Sequence, residues 1–459
     1  MSEDLVSHLN FIDGTFTPAM SGKWLLKPDP RDSSDQCRLP DSDLMDIVRA
    51  VQASNKALAN WSKMPAPERA EILLNAATLL EERADDFAEA AFADLGTNVD
   101  ATMKESVPTA VDHFRAHAWS VSKSDFASLN PIGIVAVITP ASDPIACLAS
   151  RLAPALVHGN AVIAKISRYT PAVGVRFAQA LKDAGLPDGV FNLLQGRGEE
   201  VGELLVRHPA VSTISFMGSL EKGRAVAMTA ADAFKKVHYS LGAKNPVLVF
   251  ANCDLNSVIP KVAKLCLGSH PSQAFKGARL FIQESVFKNA LDLLKSEIES
   301  APAIPLAKPS QVTRYKEAVS LAGKENGRSL TGNSEQITRG QFVPASLFAD
   351  LTNCSTLQQE EIAGPLVLAS SFKYQHEALK YANVSPFGRL GYIFENEEEK
   401  ALRVAQKLET GSVFINTNEV KFDPLEEIPL LKGSGFSPEG GLALAKFFTR
   451  SSKIFASQK

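Results

Sequence analysis

Between residues 41 and 94 apolar positions recur at helical intervals. Ile72, Leu73, Ala76, Leu79 and Leu80 stand at i, i+1, i+4, i+7 and i+8 with charges between them, which predicts amphipathic helix. Residues 65–69, opening on Pro65, read as a helix start. From 131 to 250 the pattern changes. Short continuous apolar runs (IGIVAVITP, AVIAKIS, VFNLLQG, VSTISFMGS and NPVLVF) alternate with helical stretches, two of them running through Ala155 and Ala184. Strands buried on both faces and joined by crossover helices imply a mostly parallel sheet of the nucleotide-binding kind. Beyond 250 the alternation is less regular: helices from Asp254 and from Ser285, then strand-like PLVLASSF, LGYIFEN and SVFINT. The polar stretch 301–339, rich in Lys, Ser and Gly, reads as surface helix and loop. Neither an internal repeat nor a low-complexity segment interrupts the chain.

Composition narrows the function classes. With 459 residues, 45% hydrophobic and 22% charged, the chain can bury a large core divided among two or three domains. A net charge of −3 leaves no basic surplus for phosphate backbones, which argues against nucleic acid as a partner. No apolar run reaches membrane-spanning length, and MSEDLVSHLNF lacks the basic flank of a signal peptide, so a cytoplasmic protein without membrane attachment is expected. The five cysteines (37, 147, 253, 266 and 354) are odd in number and widely spaced. They suggest buried free thiols rather than a disulfide framework or a metal site.

Taken singly, the local motifs are weak. GSLEKG at 218–223 follows an apolar strand and opens a helix, where free N–H groups and the helix dipole face an anion; a glycine turn of this kind also forms without any ligand. Lys165 ends a predicted strand, where doubly wound folds bind nucleotides, although a solvated lysine is the commoner case. QGRG at 195–198, with Gly202, is a second glycine turn before a helix.

Together and in order, these pieces resemble the aldehyde dehydrogenase superfamily over nearly the whole chain. FIDGTF resembles its opening hairpin. PIGIVAVITP, LAPALVHGNAVIAKISRYTP, DAGLPDGVFNLLQG, ISFMGSLEKGR, LGAKNPVLVF, QEEIAGPL, SPFGRLGYIF, GSVFIN and KGSGFSPEGG follow as successive blocks. The resemblance implies an α/β fold: a Rossmann-type parallel-sheet cofactor domain at 1–242, a second α/β catalytic-type domain at 243–445, and a small oligomerisation element at 446–459.

In the family a thiolate attacks the aldehyde carbonyl, an Asn side chain helps hold the oxyanion, hydride passes to nicotinamide, and a Glu activates the water that cleaves the thioester. Here each of those positions is altered. Counting back five residues from Arg279 lands on Ala274 where the nucleophilic Cys is expected; aligning on Gln273 instead gives Phe275. The general-base Glu has become Ser240 in SLGAK, and the oxyanion Asn has become Ser142 in PASDP. Loss of a nucleophile typically costs about four to six powers of ten in rate, a general base about two to four, and an oxyanion donor about two to three. Cys266 lies about two helical turns before the site, too far to substitute. His270 is a further candidate base, and without metal-like histidine spacing no zinc site is expected. The segment 267–283 is then a structural loop.

By the same resemblance Lys165 contacts the adenosine ribose, Gly218 and Ser219 the pyrophosphate, and Glu361 the nicotinamide ribose. Arg168 replaces the Glu that often holds the adenosine hydroxyls. A guanidinium cannot accept from hydroxyls but can pair with a 2′-phosphate, which favours NADP over NAD where a dinucleotide binds at all. Ala363 replaces a Phe beside the nicotinamide ribose. Most of the hairpin before Pro131 is missing, since only SKSDFASLN precedes that proline, and the PFGG turn has gone. A homodimer is therefore expected instead of a tetramer, with FFTRSSKIFAS available for edge pairing. The chain reads as a non-catalytic homologue that binds NAD(P) or a partner, an active relative among the candidates. The alternative is an active NAD(P)-dependent oxidoreductase using a non-cysteine group.

Overall fold

The computed structural model describes residues 5–123, 129–268, 273–331, 340–451 and 455. The 41–94 pattern resolves into three helices, Leu44–Trp61, Ala66–Glu82 and Ala84–Leu95. Asp43 opens the first with a capping box completed by Asp46. Pro65 opens the second, and Gly96, at φ +70°, ends the third in the left-handed region. Leu73, Ala76 and Leu80 face the core. Leu79 is only partly buried, at the rim of the apolar stripe.

Two seven-stranded sheets carry the rest. The first runs Lys236–Ser240, Val211–Met217, Ile134–Ile138, Ala161–Lys165, Phe191–Leu194, Asn10–Ile12, Thr15–Thr17. Its first five strands are parallel, and the FIDGTF hairpin closes the edge antiparallel. Helices Pro144–Val157, Pro171–Asp183, Gly198–Arg207 and Leu220–Asp232 connect the parallel strands. Every residue of Ile134–Ile138 is buried, which explains why its sequence is a continuous apolar run; each large side chain there is worth about 1.5–3 kcal/mol of burial.

Lys236–Ser240 was not anticipated from the sequence. It is an edge strand with an exposed lysine at its start and no apolar run, and NPVLVF, expected to continue the same sheet, belongs to the second one. That sheet runs Arg328–Ser329, Ser346–Ala349, Leu366–Phe372, Gly277–Gln283, Asn245–Val249, Leu390–Phe394, Ser412–Ile415, parallel except for the first strand. Its inner strand Gly277–Gln283 corrects the loop expected over 267–283, because it pairs with a strand on either side and its apolar side chains are buried.

The end of the chain differs from the continuous strand expected over FFTRSSKIFAS. Phe447 closes the helix Gly441–Phe447, and Thr449–Arg450 pairs antiparallel with Asn130–Pro131 of the same chain. Asn160, fully buried, fastens this return: its Nδ2 donates to Phe448 O at 3.0 Å while its Oδ1 accepts from Ile132 and Gly133 N–H. Residues 124–128, where the shortened hairpin was expected, and His270 lie outside the described residues.

Candidate functional site

Ser240 ends its strand 3% exposed. Its hydroxyl accepts from Arg389 Nη2 at 2.7 Å and donates to the Glu439 carboxylate. Glu439 Oε1 in turn receives Arg389 at 3.1 Å and Arg151 at 2.9 Å. Arg389 stands just before the strand Leu390–Phe394, and Arg151 lies inside the helix Pro144–Val157. Burial alone would raise the Glu439 pKa, but Arg389 and Arg151 overcome it, with Ser240 assisting, and hold the carboxyl at about 2. His238, two residues earlier on the strand, meets Pro438 O through Nε2 at 3.0 Å and is kept at about 4 by burial and then by Arg151.

Ser142 sits half-buried in the turn after Ile134–Ile138, and its carbonyl oxygen accepts from Cys147 Sγ at 3.5 Å. The next residue, Asp143, takes a left-handed conformation at φ +44° and caps the following helix through Ala146 N–H. Burial pushes its carboxyl up to about 6 against a hydrogen bond from Ser106.

Ala274 occupies a short 3-10 turn, Gln273–Phe275, and offers only a methyl group. Asn245 Nδ2 donates to its carbonyl and to that of Lys276, both at 2.9 Å, while Asn245 Oδ1 accepts from Leu390 N–H. One side chain thus ties the Ala274 turn to the strand that starts beside Arg389, the residue bonded to Ser240. Arg279, the reference point for the count, donates only to main-chain carbonyls of Lys244, Tyr381, Ala382 and Val384 and acts as a structural clamp. Burial lowers the amines of Lys244 and Lys276 to about 7 and about 8; Lys276 also donates to Gly364 O.

The buried thiols are not activated. Burial pushes Cys37 and Cys266 up to about 12 and Cys253 to about 11, and raises Cys147 still further. Contrary to expectation, Cys354 is exposed, because it lies in a polar turn.

At the carboxyl end of Ala161–Lys165 a second cluster forms. Lys165 is 2% exposed rather than solvated, with Nζ 2.7 Å from Ile166 O. Burial brings it down to about 7; Glu199 opposes this, and Lys222, Lys308 and Arg168 push it further down. Arg168 stacks on Tyr169 at 5.1 Å and donates to its hydroxyl at 3.0 Å. Lys308, from the distant second half, sits 5.9 Å from the same ring and is lowered to about 8. The sequence reading missed Lys222 and Lys308. GSLEKG itself held a signal for Lys222, in the first turn of its helix, whereas nothing local marks Lys308.

Ser219 caps the helix Leu220–Asp232, accepting from Lys222 N–H. Gly218 is explained by packing: an added Cβ would lie 2.9 Å from the Phe216 ring, and its N–H already donates to Ser240 O. Glu361 is separate from this cluster. It lies against Gly242, where a Cβ would come within 2.2 Å of its carboxylate. With three lysines and an arginine around a single carboxylate, the Lys165 end of the sheet fits an anionic dinucleotide. Among the described residues, no group of three His, Cys, Asp or Glu is arranged to hold a metal.

Parallel strands with crossover helices and a cluster of cationic side chains at their carboxyl ends are the pattern of a dinucleotide-binding α/β class. The sequence profile of the aldehyde dehydrogenase family matches residues 16–454, and the chain belongs to that family. Phenylacetaldehyde dehydrogenase of Pseudomonas fluorescens is 29% identical over 478 residues, covering 96% of this chain and 94% of that enzyme. HpcC of Thermus thermophilus superposes with a TM-score of 0.91 at 29% identity, covering 99% of this chain and 95% of its own. Indole-3-acetaldehyde dehydrogenase, solved in complex with NAD+, superposes with a TM-score of 0.91 at 26% identity over 98% of this chain and 96% of its own.

Proposed function

We propose that this chain is a non-catalytic member of its family, one that has lost thiol-dependent aldehyde oxidation and works by binding NADP or NAD and a protein partner. The observation that carries the reading is the alanine at 274, together with thiols elsewhere that burial holds protonated. A thiol nucleophile requires its thiolate, and a hydride can leave only after a nucleophile has added to the aldehyde carbon. Ser240, bonded to Arg389 and Glu439, is likewise poorly suited to draw a proton from water.

A bound nicotinamide would supply a hydride acceptor, and Lys165, Ser219 and Glu361 are the residues proposed to hold the dinucleotide. NADP is favoured over NAD because Arg168 is joined by Lys222 and Lys308, a local surplus of positive charge suited to a third phosphate. Among the described residues no helix is long and apolar enough to cross a membrane, and a cytoplasmic setting is proposed. Assembly as a homodimer, or pairing with an active relative, follows from the shortened segment before Pro131; sedimentation giving a stable tetramer would contradict the dimer.

The test is reduced-nicotinamide absorbance with short, long and aromatic aldehydes, for the native chain and for a variant with all five cysteines changed to serine. No turnover is expected in either. Ala274→Cys should permit slow hydride transfer at best, because the thioester still lacks a placed base.

A second reading has one observation in its favour: the amines of Lys244 and Lys276, brought to about 7 and about 8 by burial, are neutral often enough to add to a carbonyl. Equal, substantial turnover with and without the cysteines would overturn the first reading, and its loss in Lys244→Met or Lys276→Met would assign the step to that amine.

A further inference from the structure

Two guanidiniums share one carboxylate in the interior beside Ser240. Arg151 is 2% exposed and Arg389 4%, and both donate to the same oxygen of Glu439. An arginine cannot shed its proton to relieve burial. Among the neighbouring titratable groups, Glu361 also acts on Arg389 through space, its own carboxyl raised by burial. His238 and His113 are held neutral by burial and by Arg151, the adjacent His117 lies lower still, and the Cys147 thiol stays protonated. Asp143 is turned to Ser106 and its own helix N-terminus. Two guanidiniums thus share the one carboxylate that bonds them directly.

The hydrogen bonds show a deficit. Arg151 Nε and Arg389 Nε, both on side chains more than nine-tenths buried, have no acceptor among the described residues. Buried donors on charged groups are costly to leave unmade, so native proteins rarely leave them so. The cluster is not sealed, since the Glu439 side chain keeps 16% of its exposure.

We propose that Arg151, Arg389 and Ser240 form a binding site for a small monocarboxylate. A second carboxylate supplies acceptors for the two free Nε donors, and its flat two-oxygen shape matches the planar guanidinium fork. A phosphate dianion would bring more acceptor oxygens than the site has free donors. The proposal goes beyond dinucleotide binding and does not depend on it, because the ligand sits on different residues.

The test uses the full chain without dinucleotide, titrated by calorimetry and by thermal unfolding with acetate and propionate at constant chloride, and with acetamide and inorganic phosphate as controls. Saturable binding of a carboxylate with a rise in Tm is expected, with no effect of acetamide or phosphate. Ser240→Glu places an internal carboxylate against the guanidiniums. It should raise Tm without ligand and weaken carboxylate binding by at least about tenfold. Arg389→Leu should weaken it as much; should that variant fold poorly, Ser240→Glu remains readable. Absence of saturable carboxylate binding, unchanged affinity in Ser240→Glu, or equal protection by phosphate would each overturn the site. A separate NADP titration reports on the dinucleotide reading, so failure of one leaves the other standing.

Discussion

Lys165 and Ser240 end two parallel strands of the same sheet, and each gathers buried positive charge, yet the two clusters are built from different chemistry. Around Lys165 the surplus is carried largely by lysines, and its carboxylate, Glu199, is exposed. Lysines can answer burial by releasing protons: desolvation first, and neighbouring cations after it, bring Lys165 and Lys308 down to about 7 and about 8. Around Ser240 the charge is carried by arginines, which cannot release theirs, and the shared carboxylate is half-buried beside them. The first cluster can therefore adjust its charge to the absence of a ligand. The second cannot.

The largest expected effect comes from removing each carboxylate. Glu439→Gln leaves two buried guanidiniums without the carboxylate they share and should cost about 3–5 kcal/mol in urea unfolding. Glu199→Gln, at an exposed position, should cost less than about 1 kcal/mol. Because folding lowers the Glu439 pKa from 4.5 to about 2, its contribution is present above about pH 4.5 and is lost as pH falls through that interval. The lowered values of His113 and His238 add acid sensitivity between pH 6.5 and about 4, and Glu439→Gln should remove only the lower part of this loss.

A pH series separates the clusters next. As pH rises through about 7 and about 8, Lys165 and Lys308 lose their protons, so NADP affinity should fall about tenfold by pH 9, with proton uptake on binding measurable by calorimetry in different buffers. Carboxylate binding at the arginines should stay level over the same range; a parallel decline would erase the distinction. Arg168→Glu should shift the NADP-to-NAD preference by about tenfold and reverse its order, and a clear NAD preference in the native chain would remove the basis for it. The smallest effect concerns the thiols. Native-state labelling should modify Cys354 alone, leaving Cys147 unreactive beside the arginine cluster.

Much of the first sheet was readable because its central strands are buried on both faces and so appear as unbroken apolar runs. Lys236–Ser240 escaped notice because an edge strand needs no such run, and yet it delivers Ser240. The positions Ala274, Ser240 and Ser142 could be proposed by counting along motifs, but the Ser240 partners Arg389 and Glu439, and Arg151 behind them, lie in three separate stretches that carry no shared local signal. Lys308 was invisible for the same reason: it reaches the Lys165 cluster only because the second half of the chain folds against the first.

Sequence alone determined which groups are available: most of the strands and helices, the family, and the chemistry of Ala274, Ser240 and Ser142 at the positions proposed for a thiol, a carboxylate and an amide. These follow from local periodicity and from side-chain chemistry, which travel with the residue wherever it is placed. The tertiary structure decided what those groups experience. Burial made Lys165 a weak cation and left the buried thiols protonated, and convergence of Arg151, Arg389 and Glu439 made Ser240 part of a charged network. Desolvation and Coulomb interaction depend on distance in space, and that distance exists only after the chain has folded.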